Sequence, residues 1–166
     1  LPADVIIAGA GMGGCAAAIA ALRNGLRVVM TEETDWIGGQ LTQQGLSCPD
    51  EHHWIESFGA TQLYRELRTA IREYYVRYYP LTEAAKTNKN LNPGSGAVSR
   101  LCHEPRVALA VLSNMLAPYL ASGKLTLLLQ HKIEGADING DKVKALKAHS
   151  LQTGDKIILT APYFID

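Results

Sequence analysis

Gly9-Ala10-Gly11-Met12-Gly13-Gly14 follows directly on the apolar run Val5-Ile6-Ile7-Ala8. A strand that feeds a glycine-rich turn and then a helix leaves few folds open. Gly9 permits the tight turn. Gly11 lacks a Cβ, so a pyrophosphate can approach the backbone, with Ala10, Met12 and Gly13 supplying the rest of the loop. Gly14 lets the helix pack closely on the strand. The helix then presents unpaired N–H groups and the positive end of its dipole to phosphate oxygens. It continues as the alanine-rich stretch Cys15 to Asn24, and Gly25 reads as its stop. A second strand, Arg27 to Thr31, ends at Glu32.

Glu32 falls close to the position, about 20 residues beyond the turn, where such units carry an acid. A carboxylate there accepts hydrogen bonds from the ribose hydroxyls of an adenosine. It repels a 2′-phosphate, which argues against NADP. Strand, turn, helix, second strand and terminal acid occur in register, so the reading is a dinucleotide-binding βαβ unit.

The rest of the chain sets the bounds. It has 166 residues, with 16 acidic and 16 basic side chains. One modest domain is expected, and net charge gives no reason to invoke nucleic acid or an anionic membrane. No apolar run approaches the ~20 residues of a membrane span. Leu1-Pro2-Ala3-Asp4 leads straight into the first strand, with no signal-peptide pattern. Cys15, Cys48 and Cys102 show neither metal-ligand spacing nor an even framework. A reducing, cytoplasmic setting is the expectation.

After about Gln44 comes material that a minimal nucleotide fold does not need, a helical and loop insertion at about 45–104. Ser47 to Phe58 is polar and turn-rich. Thr61 to Tyr79 reads as an amphipathic helix with the stripe Leu63, Leu67, Ile71, Tyr74 and Tyr78. Its arginines, Arg65, Arg68, Arg72 and Arg77, read as a solvated face. Thr82 to Ser99, rich in Asn, Lys, Gly and Ser, reads as a long mobile loop. Pro105 suits the first turn of a further helix, which Pro118 should kink or end. Leu125 to Leu129 has the continuous apolar character of a buried parallel strand.

The tail, at about 131–161, reads as an antiparallel meander. Lys132 to Ile138 and Lys142 to His149 form a hairpin through a type I′ turn at Asn139-Gly140. Lys156 to Thr160 is the third strand. Tyr163 to Asp166 is expected beside the first strand, giving the parallel order third, second, first, closing.

Beyond Glu32, the segment Glu33-Thr34-Asp35-Trp36-Ile37-Gly38-Gly39-Gln40-Leu41-Thr42 and the ending Tyr163-Phe164-Ile165-Asp166 resemble FAD-dependent oxidoreductases of the glutathione-reductase-like superfamily. Within it the nearest likeness is to the xanthan-lyase-like and fumarate-reductase-like flavoproteins. The resemblance implies an α/β fold: a Rossmann-like parallel sheet with an antiparallel β-meander, of the FAD/NAD(P)-binding type. It implies FAD as cofactor. Gly38, Gly39, Gln40 and Thr42 line the pyrophosphate and ribitol, the backbone near Ile133 faces the adenine, and Glu33 is a further cofactor contact. Redox-disulfide members carry a Cys-x4-Cys pair after the Gly-Gly region, where this chain has only Cys48, so that chemistry is not expected.

Flavin supplies its own electron chemistry, so no catalytic triad is required. No catalytic residue is assigned. His103 reads as a helix-start residue bonding backbone. His52 and His53 are too close in sequence to converge on one metal ion, and none is expected. Cys15 reads as packed against the sheet. The expectation is an FAD-dependent oxidoreductase acting on a small-molecule substrate. Residues 1–166 are the N-terminal part of its FAD-binding domain, and a second polypeptide or a further part of the chain completes the site. The rivals are an NAD-dependent dehydrogenase domain and a non-catalytic dinucleotide-binding subunit.

Overall fold

The computed structural model describes all residues 1–166. They form two compact units, one of residues 1–39 and 113–166, the other of residues 40–112.

The first unit begins with β1 (Val5–Ala8), α1 (Met12–Arg23) and β2 (Val28–Glu32). Ala16, Ala17, Ala20 and Ala21 are strong helix formers, and Cys15, Ala18, Ile19 and Leu22 form the helix's buried stripe. At its end Gly25 takes φ +84°, and Leu26 N–H donates to Ala21 C=O at 3.2 Å. This is the left-handed glycine stop that the sequence implies.

β3 (Leu125–Leu129) and β7 (Tyr163–Ile165) complete a four-stranded parallel sheet in the order β3-β2-β1-β7. Val5, Ile6 and Ile7 are all buried, as expected of a strand covered on both faces. Side chains alternate along it. Ile7 faces Gly14 of α1, while Ile6 packs with Val29, Leu146, Ala148 and Leu159. Three of those four partners come from β5 (Lys142–Ser150) and β6 (Lys156–Leu159), which with β4 (His131–Asn139) form an antiparallel meander in the order β4-β5-β6.

The hairpin turn is corrected by one residue. Asn139 pairs with Lys142, leaving Gly140 and Asp141 as the loop. Only Gly140, at φ +63°, has a positive φ, which is the sign pattern of type II′ rather than I′. Placing the one glycine first in the loop satisfies this turn without forcing Asp141 into the left-handed region.

The second unit contains α2 (Gln62–Tyr78), α3 (Glu83–Thr87) and the start of α4 (Pro105–Ala121), whose last turns belong to the first unit. Pro105 opens α4. Pro118 sits in its final turn, and Gly123 at φ +69° closes the segment.

Three expectations for this unit are corrected. The buried stripe of α2 is Leu67, Ile71 and Tyr75 at strict four-residue steps, while Tyr78 is 61% exposed. Tyr75 is drawn in by polar bonds: its hydroxyl accepts from Glu104 N–H at 2.8 Å and donates to Glu104 Oε2 at 3.2 Å. Of the α2 arginines expected on a solvated face, Arg77 is exposed, but Arg68 and Arg72 are not solvated. Arg68 is buried and bonds both Glu51 and Glu56, and Arg72 pairs with Glu56 at 2.6 Å. Residues 82–99 are not featureless either. Thr82 caps α3, and Asn92 Nδ2 donates to the carbonyls of Gly96 and Ser99 at 3.0 and 3.1 Å.

Candidate functional site

The glycine turn is held from three sides. Gly9, at φ +100°, donates its N–H to Thr31 C=O at 3.1 Å. Ala10 N–H donates to Glu32 Oε2 at 3.1 Å, and Ala10 C=O accepts from Gly38 N–H at 2.7 Å and from the Cys15 thiol at 3.3 Å. Gly11 and Gly38 form a parallel bridge. A Cβ on Gly39 would come within 3.2 Å of Gly11 Cα. The two glycine loops therefore lie back to back, and a side chain on Gly39 would crowd the Gly11 backbone.

The glycines differ in what they leave open. A Cβ on Gly14 would stand 2.0 Å from Gly9 C=O. Gly14 thus sets the contact of helix and turn. A Cβ on Gly11 or Gly13 would meet nothing within 4 Å. Gly11 caps α1 with no side-chain hydrogen bond, and the first turn carries no acid. The first helical bond runs from Cys15 N–H to Gly11 C=O at 2.9 Å. The N–H groups of Met12, Gly13 and Gly14 precede it, so they have no acceptor within the helix. This is an electropositive, sterically open helix N-terminus suited to an anion.

Glu32 closes the site. Its Oε1 accepts from Thr34 N–H at 3.0 Å and from the Thr34 hydroxyl at 2.9 Å. With Ala10 N–H, three of about four acceptor positions are filled, leaving room for a ligand hydroxyl. Thr34 and Ala10 hold the carboxylate in place.

Beside this lies a cavity of about 630 Å³. Its lining includes Gly9, Thr31, Glu33, His131, Ile133 and Phe164. The structure thus brings Glu33 and Ile133 to one cavity. Glu33 also reaches Lys132 at 3.8 Å. Thr31, His131 and Phe164 are lining residues that sequence reasoning missed. Thr31 carried a signal, as the one hydroxyl in an otherwise apolar strand interior. Phe164 lay in the ending that carries the resemblance, whereas His131 carried no signal, because meander and sheet meet only in three dimensions.

Gln40 and Thr42 belong to the second unit. Gln40 is exposed and Thr42 is 1% exposed, with its carbonyl accepting from Gly45 N–H at 3.0 Å.

The other candidates are accounted for locally. Burial pushes the Cys15 thiol up to about 12, against the backbone N–H of Gly38 and with the help of the Glu32 charge, so it is a packing residue. His103 is 2% exposed, donates its N–H to Ser47 C=O at 2.7 Å, and sets Nδ1 2.9 Å from Leu101 C=O. Burial depresses its pKa, and Nε2 has no hydrogen-bond partner. His52 Nδ1 accepts from Trp54 N–H at 3.2 Å. No group of three or more His, Cys, Asp or Glu stands where it could hold a metal ion, and no helix is long and apolar enough to cross a membrane.

Comparison with known proteins agrees with this geometry. In fold the chain is similar to Sdh1 of Mycobacterium smegmatis, solved in complex with UQ1, at 16% identity and a TM-score of 0.60, covering 99% of this chain and 33% of that one. It is similar to the myxobacterial halogenase CndH, a variant of FAD-dependent halogenases, at 12% identity and a TM-score of 0.58, covering 98% and 36%. It is also similar to the bacillithiol disulfide reductase Bdr of Bacillus cereus, at 18% identity and a TM-score of 0.54, covering 99% and 39%. The chain thus spans between a third and two-fifths of these proteins. No curated protein shows significant similarity to it. The sequence profile described as FAD dependent oxidoreductase matches residues 4–166. With the profile matched over nearly its whole length, the chain belongs to the FAD-dependent oxidoreductase family.

Proposed function

We propose that this chain holds the adenosine and pyrophosphate half of FAD in an enzyme that moves electrons between a small-molecule substrate and an acceptor. In this reading the N–H groups of Met12, Gly13 and Gly14 bind the pyrophosphate over Gly11. Gly9 and Ala10 shape the turn. Glu32 accepts from the adenosine ribose. Gly38 and Gly39 bring the second loop alongside, Gln40 and Thr42 continue it toward the ribitol, and the cavity at Ile133, with Glu33 on its rim, takes the adenine.

The observation that carries the reading is the bare start of α1: an uncapped helix N-terminus, no acid in its first turn, and empty space where Gly11 would carry a side chain. A group with negative oxygens and no need of a side-chain partner fits that space. Bound flavin supplies the hydride or single-electron chemistry, and the protein supplies its position and surroundings. The substrate pocket belongs to polypeptide beyond these residues, as the coverage of a third of Sdh1 supports.

The βαβ geometry alone would also suit NAD, and the family favours FAD. The test is to denature the native protein and identify the nucleotide released. FAD is expected. NAD, or no nucleotide, would overturn the assignment. Turnover with a redox-dye acceptor by the same material separates an enzyme from a non-catalytic subunit.

A further inference from the structure

Cys48 and Cys102 lie far apart in sequence, and each is the only thiol in its segment. The fold of residues 40–112 brings them together. His103 N–H donates to Ser47 C=O at 2.7 Å, which sets residues 47–48 alongside 102–103. The Cys102 thiol is near enough to Cys48 to act on its ionisation.

Cys102 is gripped. Its N–H donates to Asn92 Oδ1 at 2.6 Å, its C=O accepts from Gly94 N–H at 2.8 Å, and its sulfur lies 3.7 Å from Ser99 C=O. A Cβ on Gly96 would come within 2.6 Å of its sulfur, so a glycine makes room for this thiol. The sulfurs differ in access: Cys48 is half-buried, and Cys102 is 6% exposed. The third thiol, Cys15, belongs to the other unit and is bonded to Ala10 C=O. An accessible thiol with one buried thiol against it is the arrangement of an attacking and a resolving cysteine.

We propose that Cys48 and Cys102 are a reversible dithiol–disulfide pair, a modification site oxidised by hydroperoxides. The Cys48 thiolate attacks the hydroperoxide, an S–O bond forms, the O–O bond breaks, and an alcohol or water leaves. Cys102 then attacks the Cys48 sulfur, the S–S bond forms, the S–O bond breaks, and water leaves. The two thiols give up two electrons to the peroxide. Exchange with two equivalents of a small thiol restores them, and the small thiol leaves as its disulfide.

Burial pushes the Cys48 thiol up, and the neighbouring Cys102, Asp50 and Glu51 push it further. The first step is therefore slow at neutral pH and quickens as pH rises. The pair is a slow responder rather than a peroxide-consuming centre. It also departs from the Cys-x4-Cys disulfide of the redox-active reductases, because the partner comes from a distant segment.

The test is hydrogen peroxide titration of the complete, flavin-loaded protein from neutral to alkaline pH, with non-reducing peptide mapping. The expected result is loss of two hydrogens in intact mass, a cross-linked peptide pair containing Cys48 and Cys102, and full reversal by dithiothreitol. In Cys102→Ser, Cys48 is expected to stop at a sulfenic acid that dimedone captures. In Cys48→Ser, Cys102 stays a thiol. Over-oxidation of Cys48 in the wild type with Cys102 still free would overturn the proposal. So would a cross-link through Cys15, or no loss of thiols at any pH.

Discussion

Two ion pairs show how differently the two units are built. In the unit of residues 1–39 and 113–166, Arg27 meets Asp4 at 3.3 Å with the arginine side chain 64% exposed. The buried interior there is apolar: Ile6, Ile7, Met30 and Leu159. In the unit of residues 40–112, Arg68 is 4% exposed and lies between two carboxylates, with the Glu51 side chain at 2%. The Tyr64 hydroxyl donates to Glu51 Oε1 at 2.7 Å. The first unit is held by burial and by glycines at fixed positions. The second has an apolar core too, with Ile71, Leu101 and Leu112, and adds buried charges that tie separate segments to α2. Apolar burial tolerates local repacking, whereas a buried charge that loses its partner has nowhere to go.

The largest effect is therefore expected from Arg68→Ala. Stranding the buried Glu51, while Glu56 keeps Arg72, should cost about 3–5 kcal/mol. Urea unfolding followed by hydrogen exchange of α2 would show it, and an unfolding midpoint near that of the wild type would dissolve the contrast between the units. Next comes Gly14→Ala, which drives a methyl group into Gly9 C=O. A cost of about 1–3 kcal/mol, or more because the obstacle is backbone, is expected in the same assay. A variant as stable as the wild type would show that helix and turn are not in contact as described.

How much of this was legible in the sequence follows the same division. β1 and β3 fall on the residues that the apolar runs mark, but only β1 is covered on both faces; β3 is an edge strand buried only at Leu125, with Thr126 and Leu129 exposed, so its expected burial is corrected. The glycine turn and Glu32 were legible because each residue answers a local backbone or chemical demand. Tyr75 in place of Tyr74 and Tyr78 was not. Its burial depends on Glu104, far along the chain. The arginines of α2 look alike in sequence, and only the fold shows that Arg68 faces Glu51 and Glu56. Cys48 lacked a partner for the same reason.

The comparison sharpens at the site itself. Glu32→Ala removes the acceptor proposed for the ribose and the anchor of Ala10 N–H. A loss on the order of 1.5–3 kcal/mol in FAD binding is expected, roughly ten- to a hundredfold in affinity. Unchanged titration of FAD into the apoprotein would remove Glu32 from the site.

A smaller, pH-dependent effect belongs to the second unit. Burial by itself would raise the Glu56 carboxyl, but the guanidinium groups of Arg72, Arg68 and Arg100 outweigh it and hold its pKa below the ordinary 4.5. Its contribution to stability is thus present above that value and is lost as pH falls through the lower, folded-state value. Protection of α2 amides, corrected for the intrinsic pH dependence of exchange, should fall on acidification more than that of β1. An equal response in both units would contradict the assignment of charge to one of them.

The most direct test of the flavin site is the flavin content of Gly11→Val. Gly11 sits at φ −62°, ψ −175°, a conformation open to valine, and its Cβ would meet no protein atom within 4 Å. The substitution should therefore leave the fold and its unfolding midpoint intact, unlike Gly14→Ala, while placing a branched side chain where the pyrophosphate is proposed to lie. The expected result is a folded protein purified without FAD and unable to take it up. A folded Gly11→Val protein with full FAD occupancy would show that the phosphates bind elsewhere.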